Sequence, residues 1–258
     1  MIRTFTGFLR GVTGAAFLVL NTLFWAVPVY ITALFKLILP FRAARGLFDT
    51  ILNSLSYAWI YCINAFIDLI KTVEYDIEGL EKLKPDEWYL VIANHQSLVD
   101  IIVLQKIFHG RIPFLKYFLK KELIWIPILG LAWWALDYPF MQRYFAEVLR
   151  KKPHLKGKDI AATRKACAKF KDKPASFMNF VEGTRFTPAK HATQNSPYKH
   201  LLKPRSGGIS YVLSAMGENM RNIIDVTIVY PDGTENAWGF ISSAKSRIII
   251  RVKVLPID

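Results

Sequence analysis

A run of 25 consecutive residues without a charged side chain, from Gly11 to Phe35, places the strongest constraint on what this chain can fold into. A helix needs about 20 apolar residues to cross a bilayer. The run is longer than the apolar core of a secretory signal, about 7–15 residues, and no small-residue cleavage site clearly follows it. A second apolar stretch, Ile51 to Ile67, comes soon afterwards. We therefore expect residues 1–72 to form a membrane-anchoring helical module.

The charges around these stretches leave the membrane topology open. Arg3 and Arg10 precede the first stretch, and Lys36 and Arg42 follow it. Because both flanks are basic, the preference of positive residues for the cytoplasmic side does not choose an orientation. Two full spans and a helical hairpin that dips into one leaflet are both compatible with the sequence.

The overall composition narrows the class of partner. The chain has 258 residues, is 52% hydrophobic and carries a formal net charge of +14. Its Lys and Arg residues are spread along the chain rather than clustered with aromatic residues, which disfavours a nucleic-acid partner. Anionic membrane lipids or a phosphorylated substrate explain the charge better. The cysteines, Cys62 and Cys167, form no C-x-x-C pair, and the histidines have no metal-ligand spacing, so no metal site is expected.

From about Glu74 the sequence alternates between short β-rich runs and helical runs. The predicted strands cover residues 74–78, 88–93, 112–117, 139–143, 175–181, 223–230 and 247–255. The predicted helices cover residues 98–109, 119–135, 158–171 and 206–217. Such alternation favours an α/β domain over residues 73–258, with a largely parallel sheet. Because ligands of such sheets bind outside the carboxyl ends of the strands, the residues that follow each strand are candidates for a site.

The first candidate is His95, which directly follows the predicted strand 88–93, with Asp100 five residues further on. Neutral imidazole is a competent general base near neutral pH, and a carboxylate bonded to its other nitrogen stabilises the imidazolium that forms. An alternative is purely structural, because Ser97 and Asp100 also fit a helix N-cap followed by an acid. Ser97 is disfavoured as a nucleophile since no G-x-S-x-G elbow surrounds it.

The chain contains a second His-x4-Asp pair, which serves as an internal comparison. His154 and Asp159 have the same spacing, but they lie in a Lys-rich stretch with no predicted strand before it. We interpret this pair as a chance match on a solvated surface. Context rather than spacing separates the two pairs.

The second candidate follows the predicted strand 175–181, where the polar residues Glu182, Gly183, Thr184 and Arg185 come in succession. Glycine permits a tight turn, and arginine is suited to bidentate contact with a phosphate. The alternative is a strand-end turn with a local Glu–Arg ion pair.

Both candidates resemble blocks of a known family. The segment from Asn94 to Asp100 resembles the Asn-His-x4-Asp block of the glycerolipid acyltransferases, the 1-acylglycerol-3-phosphate acyltransferase family. The segment from Val181 to Arg185 is similar to the second hallmark of that family, in the expected order. Three further segments match more loosely. They are Lys120-Lys-Glu-Leu123 with Ile126-Pro-Ile-Leu-Gly130, Phe140-Met-Gln-Arg143 and Lys203-Pro-Arg-Ser-Gly-Gly208. Each block is weak alone, but all of them in order form a specific pattern.

The resemblance implies a glycerolipid-acyltransferase-like α/β fold and a membrane-bound acyltransferase. The enzyme would move a fatty acyl group from an acyl thioester, acyl-CoA or acyl-carrier protein, to the free hydroxyl of a lysophospholipid. Lysophosphatidic acid, giving phosphatidic acid, is the default acceptor. No cofactor beyond the acyl donor is implied. The catalytic domain is expected on the cytoplasmic face of the cell inner membrane or of another lipid-synthesising membrane.

The resemblance also implies roles for particular residues. His95 would be the general base and Asp100 its orienting partner, with no acyl-enzyme intermediate. Arg185 would hold the acceptor phosphate, and backbone N–H groups near Ser97 are candidates for stabilising the oxyanion. The implied substrate-binding residues are Lys120, Arg143, Glu182, Gly183, Thr184, Arg185 and Arg205.

Two departures from the family pattern leave the acceptor headgroup open. The segment that ends in Arg143 lacks a glycine, and the segment from Lys203 to Gly208 carries Arg205 with paired glycines. Both features resemble the branch that includes lysocardiolipin and lysophosphatidylinositol acyltransferases, so a bulkier lysophospholipid is the near alternative. Rival functions are a hydrolase that uses the His–Asp pair to activate water, and a non-catalytic basic protein that binds lipid or RNA at a membrane.

Overall fold

The computed structural model describes residues 2–39, 41–141, 164, 167–171, 173–234 and 236–257. Helices α1 (Ile2–Ile38) and α2 (Arg42–Ile70) form an antiparallel pair. Phe17 stacks on Phe66 with ring centroids 3.9 Å apart, which holds the two helices side by side. Both helices are long and apolar enough to cross a membrane, over 34 and 28 residues. The expected pair of apolar helices is therefore present.

A six-stranded mixed sheet forms the centre of the remaining described chain. In spatial order its strands are β1 (Thr72–Glu78), β8 (Lys245–Pro256), β7 (Asn222–Val229), β2 (Tyr89–Ala93), β6 (Ser176–Phe180) and β3 (Leu115–Tyr117). Neighbouring strands run parallel, except that β7 and β8 are antiparallel. Two short strands, β4 (Leu119–Lys120) and β5 (Phe140–Met141), pair separately. The carboxyl ends of β7, β2, β6 and β3 therefore meet at one edge.

Helices cover both faces of this sheet, which confirms the predicted α/β fold with flanking helices. The helices are α3 (Val99–Phe108), α4 (Leu129–Ala135), α5 (Pro188–Gln194), α6 (Gly207–Met216) and α7 (Ala237–Ser242). Residues of α2, α3 and α7 share a core cluster with one face of the sheet, and residues of α6 share a cluster with the other. The 3₁₀ turns lie at Lys121–Trp125, Ala168–Phe170 and Gly217–Asn219.

The central strand β2 lies buried between these two layers. Tyr89, Val91 and Ala93 belong to one core cluster, whereas Leu90 and Ile92 contact the other. A strand covered on both faces is expected to be apolar at every position rather than at alternate ones. This is why the sequence before His95 is a continuous apolar run.

Some predicted elements are wrong. The helix predicted for 119–135 is instead β4, the 3₁₀ turn at Lys121–Trp125 and the short helix α4. Pro127 explains the break, because a residue that precedes proline avoids the helical conformation, and Ile126 is extended with φ −67° and ψ 122°. The sequence pattern also predicts neither α5 nor α7. The predicted helix 158–171 and strand 139–143 fall partly outside the described residues.

Helix α1 is tied to the sheet domain near both of its ends. Near its start, Arg10 Nη1 donates to the carbonyl of Ser242 at 3.0 Å. Gly14 lies so close to Ile241 that a Cβ at this position would come within 2.1 Å of that side chain. Near its end, Lys36 Nζ lies 2.6 Å from a carboxylate oxygen of Asp137. The helices and the sheet therefore pack together, and the domain boundary expected between residues 72 and 73 stays a prediction.

Candidate active site

The carboxyl ends of three neighbouring strands bring together polar residues that are far apart in sequence. His95 follows β2, Glu182 follows β6 and Tyr230 follows β7. Because β2 pairs in parallel with both β6 and β7, the three residues meet at one edge of the sheet. This is the edge at which open α/β sheets bind their ligands.

His95 and Asp100 lie in contact, as their spacing predicts. His95 Nδ1 is 2.8 Å from Asp100 Oδ2. An ionised carboxylate only accepts hydrogen bonds, so in this pair Nδ1 carries the proton and Nε2 of the neutral ring keeps its lone pair. Among the described residues Nε2 has no hydrogen-bond partner, and the side chain is 12% exposed. The ring can therefore accept a proton from a group bound at this edge.

Asp100 is fully buried and accepts four hydrogen bonds. Besides His95 Nδ1, Oδ2 accepts from the backbone N–H groups of Gln96 at 2.7 Å and Ser97 at 2.9 Å. Oδ1 accepts from the hydroxyl of Tyr230 at 2.5 Å. A buried carboxylate is costly unless its lone pairs are matched by donors, and this network supplies those donors.

The structural alternative for Ser97 and Asp100 is correct only in part. Asp100 lies in the first turn of α3, but the N-cap is Leu98 rather than Ser97, and Leu98 makes no side-chain capping bond. Ser97 Oγ accepts from the N–H of Val99 at 3.2 Å, and Asp100 accepts from the N–H of Ser97. The start of α3 and the contact between His95 and Asp100 thus share the same residues. One consequence is that the N–H groups of Gln96 and Ser97 already bond to Asp100. Neither of them is then available to stabilise an oxyanion.

The imidazole of His95 packs against an aromatic side chain from the neighbouring strand. It stacks on the ring of Phe180, with centroids 3.8 Å apart and planes 12° apart. Tyr117 lies beyond Phe180, at 6.2 Å between centroids. Burial raises the pKa of Tyr117 well above its usual value, and the nearby Tyr138 and Asp100 raise this pKa further. Tyr117 therefore stays protonated and does not compete with His95 as a base.

Glu182 holds backbone groups rather than other side chains. It is 1% exposed, and its Oε1 accepts from the N–H of His95 at 2.8 Å. Its Oε2 accepts from the N–H of Leu202, also at 2.8 Å. The expected alternative of a local ion pair with Arg185 is therefore wrong, and the substrate-binding role implied for Glu182 stays a prediction.

The turn after Glu182 presents Thr184 and Arg185 beside the site. Gly183 has φ +69°, a conformation that glycine adopts without strain. Lys190 Nζ, from α5, donates to Thr184 Oγ1 at 2.8 Å and to the carbonyl of Arg185 at 3.0 Å. The side chain of Arg185 is exposed. The sequence does not predict this contact of Lys190. The contact depends on α5, and the sequence pattern does not predict that helix.

The other predicted substrate-binding residues are less closely connected to the pair. The N–H of Arg205 donates to the carbonyl of Val181 at 2.7 Å, so Arg205 lies beside the end of β6 with its side chain exposed. Lys120 is exposed in β4. Arg143 lies outside the described residues, as does the second His-x4-Asp pair.

Strand β7 contributes contacts that sequence reasoning also missed. Asn94 Nδ2 donates to the carbonyl of Ile228 at 2.9 Å, and the N–H of Ile228 donates to Asn94 Oδ1 at 2.8 Å. Thr234 Oγ1 donates to Gln96 Oε1 at 3.0 Å. These bonds, with that of Tyr230 to Asp100, fix β7 and its following turn against the residues that flank His95. Nothing in the sequence around Tyr230 indicates this contact.

Comparison with known proteins identifies the class to which this fold and site belong. The model of a protein family described as Acyltransferase matches residues 74–236, which include the His–Asp pair and the turn at Gly183. The chain therefore belongs to this acyltransferase family, and the predicted membership is confirmed.

Named relatives are 1-acyl-sn-glycerol-3-phosphate acyltransferases. Enzyme 2 of Brassica oleracea is 30% identical over 159 residues, which cover 56% of this chain and 37% of that enzyme. Enzyme 3 of Arabidopsis thaliana is 31% identical over 168 residues, covering 59% and 41%. The human gamma enzyme is 26% identical over 154 residues, covering 55% and 38%. The matched segment thus spans well under two thirds of each relative.

A solved structure supports the fold over nearly the whole chain. The 1-acyl-sn-glycerophosphate acyltransferase of Thermotoga maritima superimposes with a TM-score of 0.56 and 18% sequence identity. The match covers 98% of this chain and 87% of that enzyme. At this identity the likeness concerns the fold, including the two N-terminal helices.

Proposed function

We propose that this chain is a membrane-associated acyltransferase that moves a fatty acyl group from an acyl thioester to the free hydroxyl of a lysophospholipid. The observation that carries the proposal is the contact between His95 Nδ1 and the buried Asp100, which leaves Nε2 without a partner among the described residues, beside the carboxyl end of β2. Membership of the acyltransferase family supports the reaction class.

The proposed reaction uses this geometry. Nε2 of His95 removes the proton of the acceptor hydroxyl, and the alkoxide oxygen attacks the thioester carbonyl. The tetrahedral intermediate collapses with cleavage of the carbon–sulfur bond, and the imidazolium returns its proton to the thiolate. Asp100 stabilises the imidazolium between these steps. The products are a diacyl phospholipid and a free thiol, with no covalent enzyme intermediate.

Positive groups near the site favour an acceptor with a phosphate. The exposed Arg185 follows the turn at Gly183, and Lys190 bonds to that same turn. The guanidinium of an arginine binds a phosphate through two parallel hydrogen bonds. Lysophosphatidic acid is our preferred acceptor, in keeping with the names of the relatives, and lysophospholipids with larger headgroups are the alternative. Acyl-CoA and acyl-carrier protein are the candidate donors.

The contacts of α1 favour association with one leaflet over two membrane spans. Arg10 near one end bonds to Ser242, and Lys36 near the other end pairs with Asp137. Arg10 and Lys36 are separated by 26 positions, about 39 Å of helix, which exceeds the hydrocarbon thickness of about 30 Å. A helix that crosses the bilayer cannot keep both ends in contact with a domain on one side. We therefore place α1 and α2 along the membrane surface.

Exposed apolar side chains support this arrangement. Leu20 and Phe24 of α1 are 65% and 66% exposed, and Trp125, in the 3₁₀ turn before α4, is 85% exposed. Large apolar side chains exposed to this extent favour a surface that binds a membrane or a partner. Tryptophan is typical of the membrane interface. The acceptor, a membrane lipid, would then reach the site without leaving the bilayer surface.

The test is an acylation assay on membranes that carry this chain. Labelled acyl-CoA or acyl-carrier protein is offered with a panel of lysophospholipids, and the wild type is compared with His95→Ala and His154→Ala. We expect diacyl product that depends on the acceptor, a loss of about 10²–10⁴-fold with His95→Ala, and full activity with His154→Ala. The best acceptor identifies the substrate.

Two results would contradict the proposal. Release of free fatty acid without an acceptor would indicate the hydrolase instead. Absence of product with both donors, from protein that is folded and membrane-bound, would favour a non-catalytic lipid-binding protein.

A further inference from the structure

We propose that Tyr230 is a positioning residue for the catalytic pair, because its hydroxyl holds the second oxygen of Asp100 and so fixes the carboxylate that supports His95. This inference rests on the proposed function. It concerns a residue in the turn after β7, more than a hundred positions away from the His-x4-Asp segment.

The two carboxylate oxygens of Asp100 accept hydrogen bonds from different parts of the protein. Oδ2 accepts from His95 and from the start of α3. Oδ1 accepts from Tyr230, at 2.5 Å, and among the described residues it has no other donor. Asp100 is fully buried, so bulk water does not reach Oδ1 to donate in place of Tyr230. Tyr230 therefore decides whether Oδ1 is matched.

No positive side chain shares this task. Within the described part of the chain, no Lys or Arg forms an ion pair with Asp100. The titratable groups that face it are His95, Tyr230 and Tyr117, and burial keeps Tyr117 protonated. The negative charge is therefore compensated by neutral donors, and a hydrogen bond to a charged group is about twice as strong as one between neutral groups.

The hydroxyl of Tyr230 is held in place by the backbone around it. The carbonyl of Tyr230 accepts from the N–H of Gly233 at 3.1 Å, which closes a turn directly after β7. Thr234, in the same turn, bonds to Gln96 beside the catalytic histidine. The preceding strand pairs with β2. These bonds on both sides of Tyr230 place its phenol beside Asp100.

Loss of the hydroxyl has two expected effects. An unmatched Oδ1 makes the pair bind its first proton more readily, whichever of the two groups carries it. The active form needs the pair without that proton, so the acidic limb of the pH profile of kcat/KM moves to higher pH. The carboxylate also becomes free to rotate, which lowers kcat while the acceptor KM stays unchanged, since Tyr230 is not among the groups expected to bind the phosphate.

The experiment compares Tyr230→Phe with Tyr89→Phe. Tyr89 is a matched control because its hydroxyl also donates to a carboxylate, Glu87, at 3.0 Å, but at the opposite end of β2. Tyr89 is fully buried, so we expect Tyr89→Phe to destabilise the fold at least as much as Tyr230→Phe does. We expect kcat to fall about 10- to 100-fold in Tyr230→Phe, as the loss of one hydrogen bond to a charged group predicts, with KM within twofold of wild type. Tyr89→Phe should keep the wild-type kcat and pH profile.

The outcomes separate this inference from the proposed function. Thermal unfolding of both variants first establishes that they are folded. If the wild type transfers acyl groups and Tyr230→Phe has the wild-type pH profile, or changes kcat no more than Tyr89→Phe does, the positioning role is overturned. If the wild type transfers no acyl group to any acceptor, the proposed function fails instead.

Discussion

At the scale of single residues, His95, the proposed general base, is held by its backbone as well as by its ring. Glu182 bonds to the N–H of His95 through one oxygen and to the N–H of Leu202 through the other. Both N–H groups need an acceptor, and a carboxylate provides two acceptor oxygens, whereas an amide provides only one. Glu182, from the second family-like segment, thus holds the backbone of His95 in the first.

Glu182→Gln should therefore weaken both the fold and the activity. The amide –NH₂ would face a backbone N–H, so one of the two hydrogen bonds is lost and a buried donor is left unmatched. We expect the free energy of unfolding to fall by about 1–3 kcal/mol, together with a lower kcat. Urea unfolding in detergent micelles and the acylation assay measure the two quantities. Glu122→Gln, at an exposed position, is the control and should change neither. Unchanged stability in Glu182→Gln would contradict a stabilising role for the two hydrogen bonds from the N–H groups of His95 and Leu202 to Glu182.

How far the sequence predicts the site depends on how local each contact is. His95 and Asp100 are found because they lie five residues apart, after a strand and at a helix start. Tyr230 and Lys190 are not found, although they contact the same site. Their contacts depend on strand register and on a helix that follows a turn, and neither leaves a local pattern. The sequence predicts the chemistry of the site better than the residues that support it.

At the scale of elements, β3 and α4 are joined through a buried lysine. Lys116 Nζ donates to the carbonyl of Leu136 at 2.7 Å, at the carboxyl end of α4. The ammonium lies 5.4 Å from the ring centroids of both Tyr138 and Phe170. Burial lowers the pKa of Lys116 to about 8, although the carboxylate of Asp137 acts in the opposite direction. The unfolded chain keeps an ordinary lysine pKa of about 10.4.

This difference predicts that the stability of the protein depends on pH. Between about pH 8 and 10.4 the unfolded state binds more protons at this site than the folded state does, so the contribution of Lys116 rises with pH in that window. Below pH 8 both states are protonated and the burial penalty is complete. Lys116→Met removes this dependence, so its stability relative to wild type should fall by about 3 kcal/mol from pH 7 to pH 10. Urea unfolding at each pH measures the difference.

The control for this prediction is Lys121→Met, because Lys121 is exposed. Its stability relative to wild type should stay constant over the same pH range. A constant difference for Lys116→Met as well would mean that Lys116 keeps its ordinary proton affinity in the folded protein.

The elements themselves are predicted unevenly. The buried strands β2, β6 and β7 follow from their apolar runs. The stretch from Leu119 to Ala135 is apolar enough for a helix, but Pro127 divides it and Ile128 adopts φ +68°. Tertiary packing decides such a segment, because propensity over a few residues is weak compared with burial. The same holds for α5 and α7, which have 7 and 6 residues and no clear apolar period.

At the scale of the whole molecule, the attachment of α1 at both ends predicts on which side of the membrane the α1–α2 turn lies. In a protein whose two cysteines have been replaced, Arg45→Cys, just after the turn, and Lys253→Cys, in β8, should react with an impermeant maleimide from the same side of sealed vesicles. Two full spans would put the turn on the opposite side. Reaction of Arg45→Cys only after the vesicles are opened, with Lys253→Cys labelled in sealed ones, would contradict the surface arrangement.

The order of the strands is the part of the fold that the sequence leaves open. Alternating strands and helices predict a parallel sheet, but the last two strands, β7 and β8, lie between β1 and β2. Their antiparallel pairing closes the sheet across a gap that the earlier strands leave. Strand composition does not encode this order, because each of these strands is apolar enough to occupy more than one position.

This strand order also sets when the protein can become active during its synthesis. The ribosome completes α1, α2 and the His-x4-Asp segment well before residues 222–256 emerge. Until they arrive, β1 and β2 have no strand between them and Asp100 has no phenol beside it. Pairings between such distant segments form slowly. If the proposed function is correct, the apolar helices can therefore reach the membrane before the site around Asp100 is complete, and acyl transfer begins only after the chain has arrived at the lipid surface.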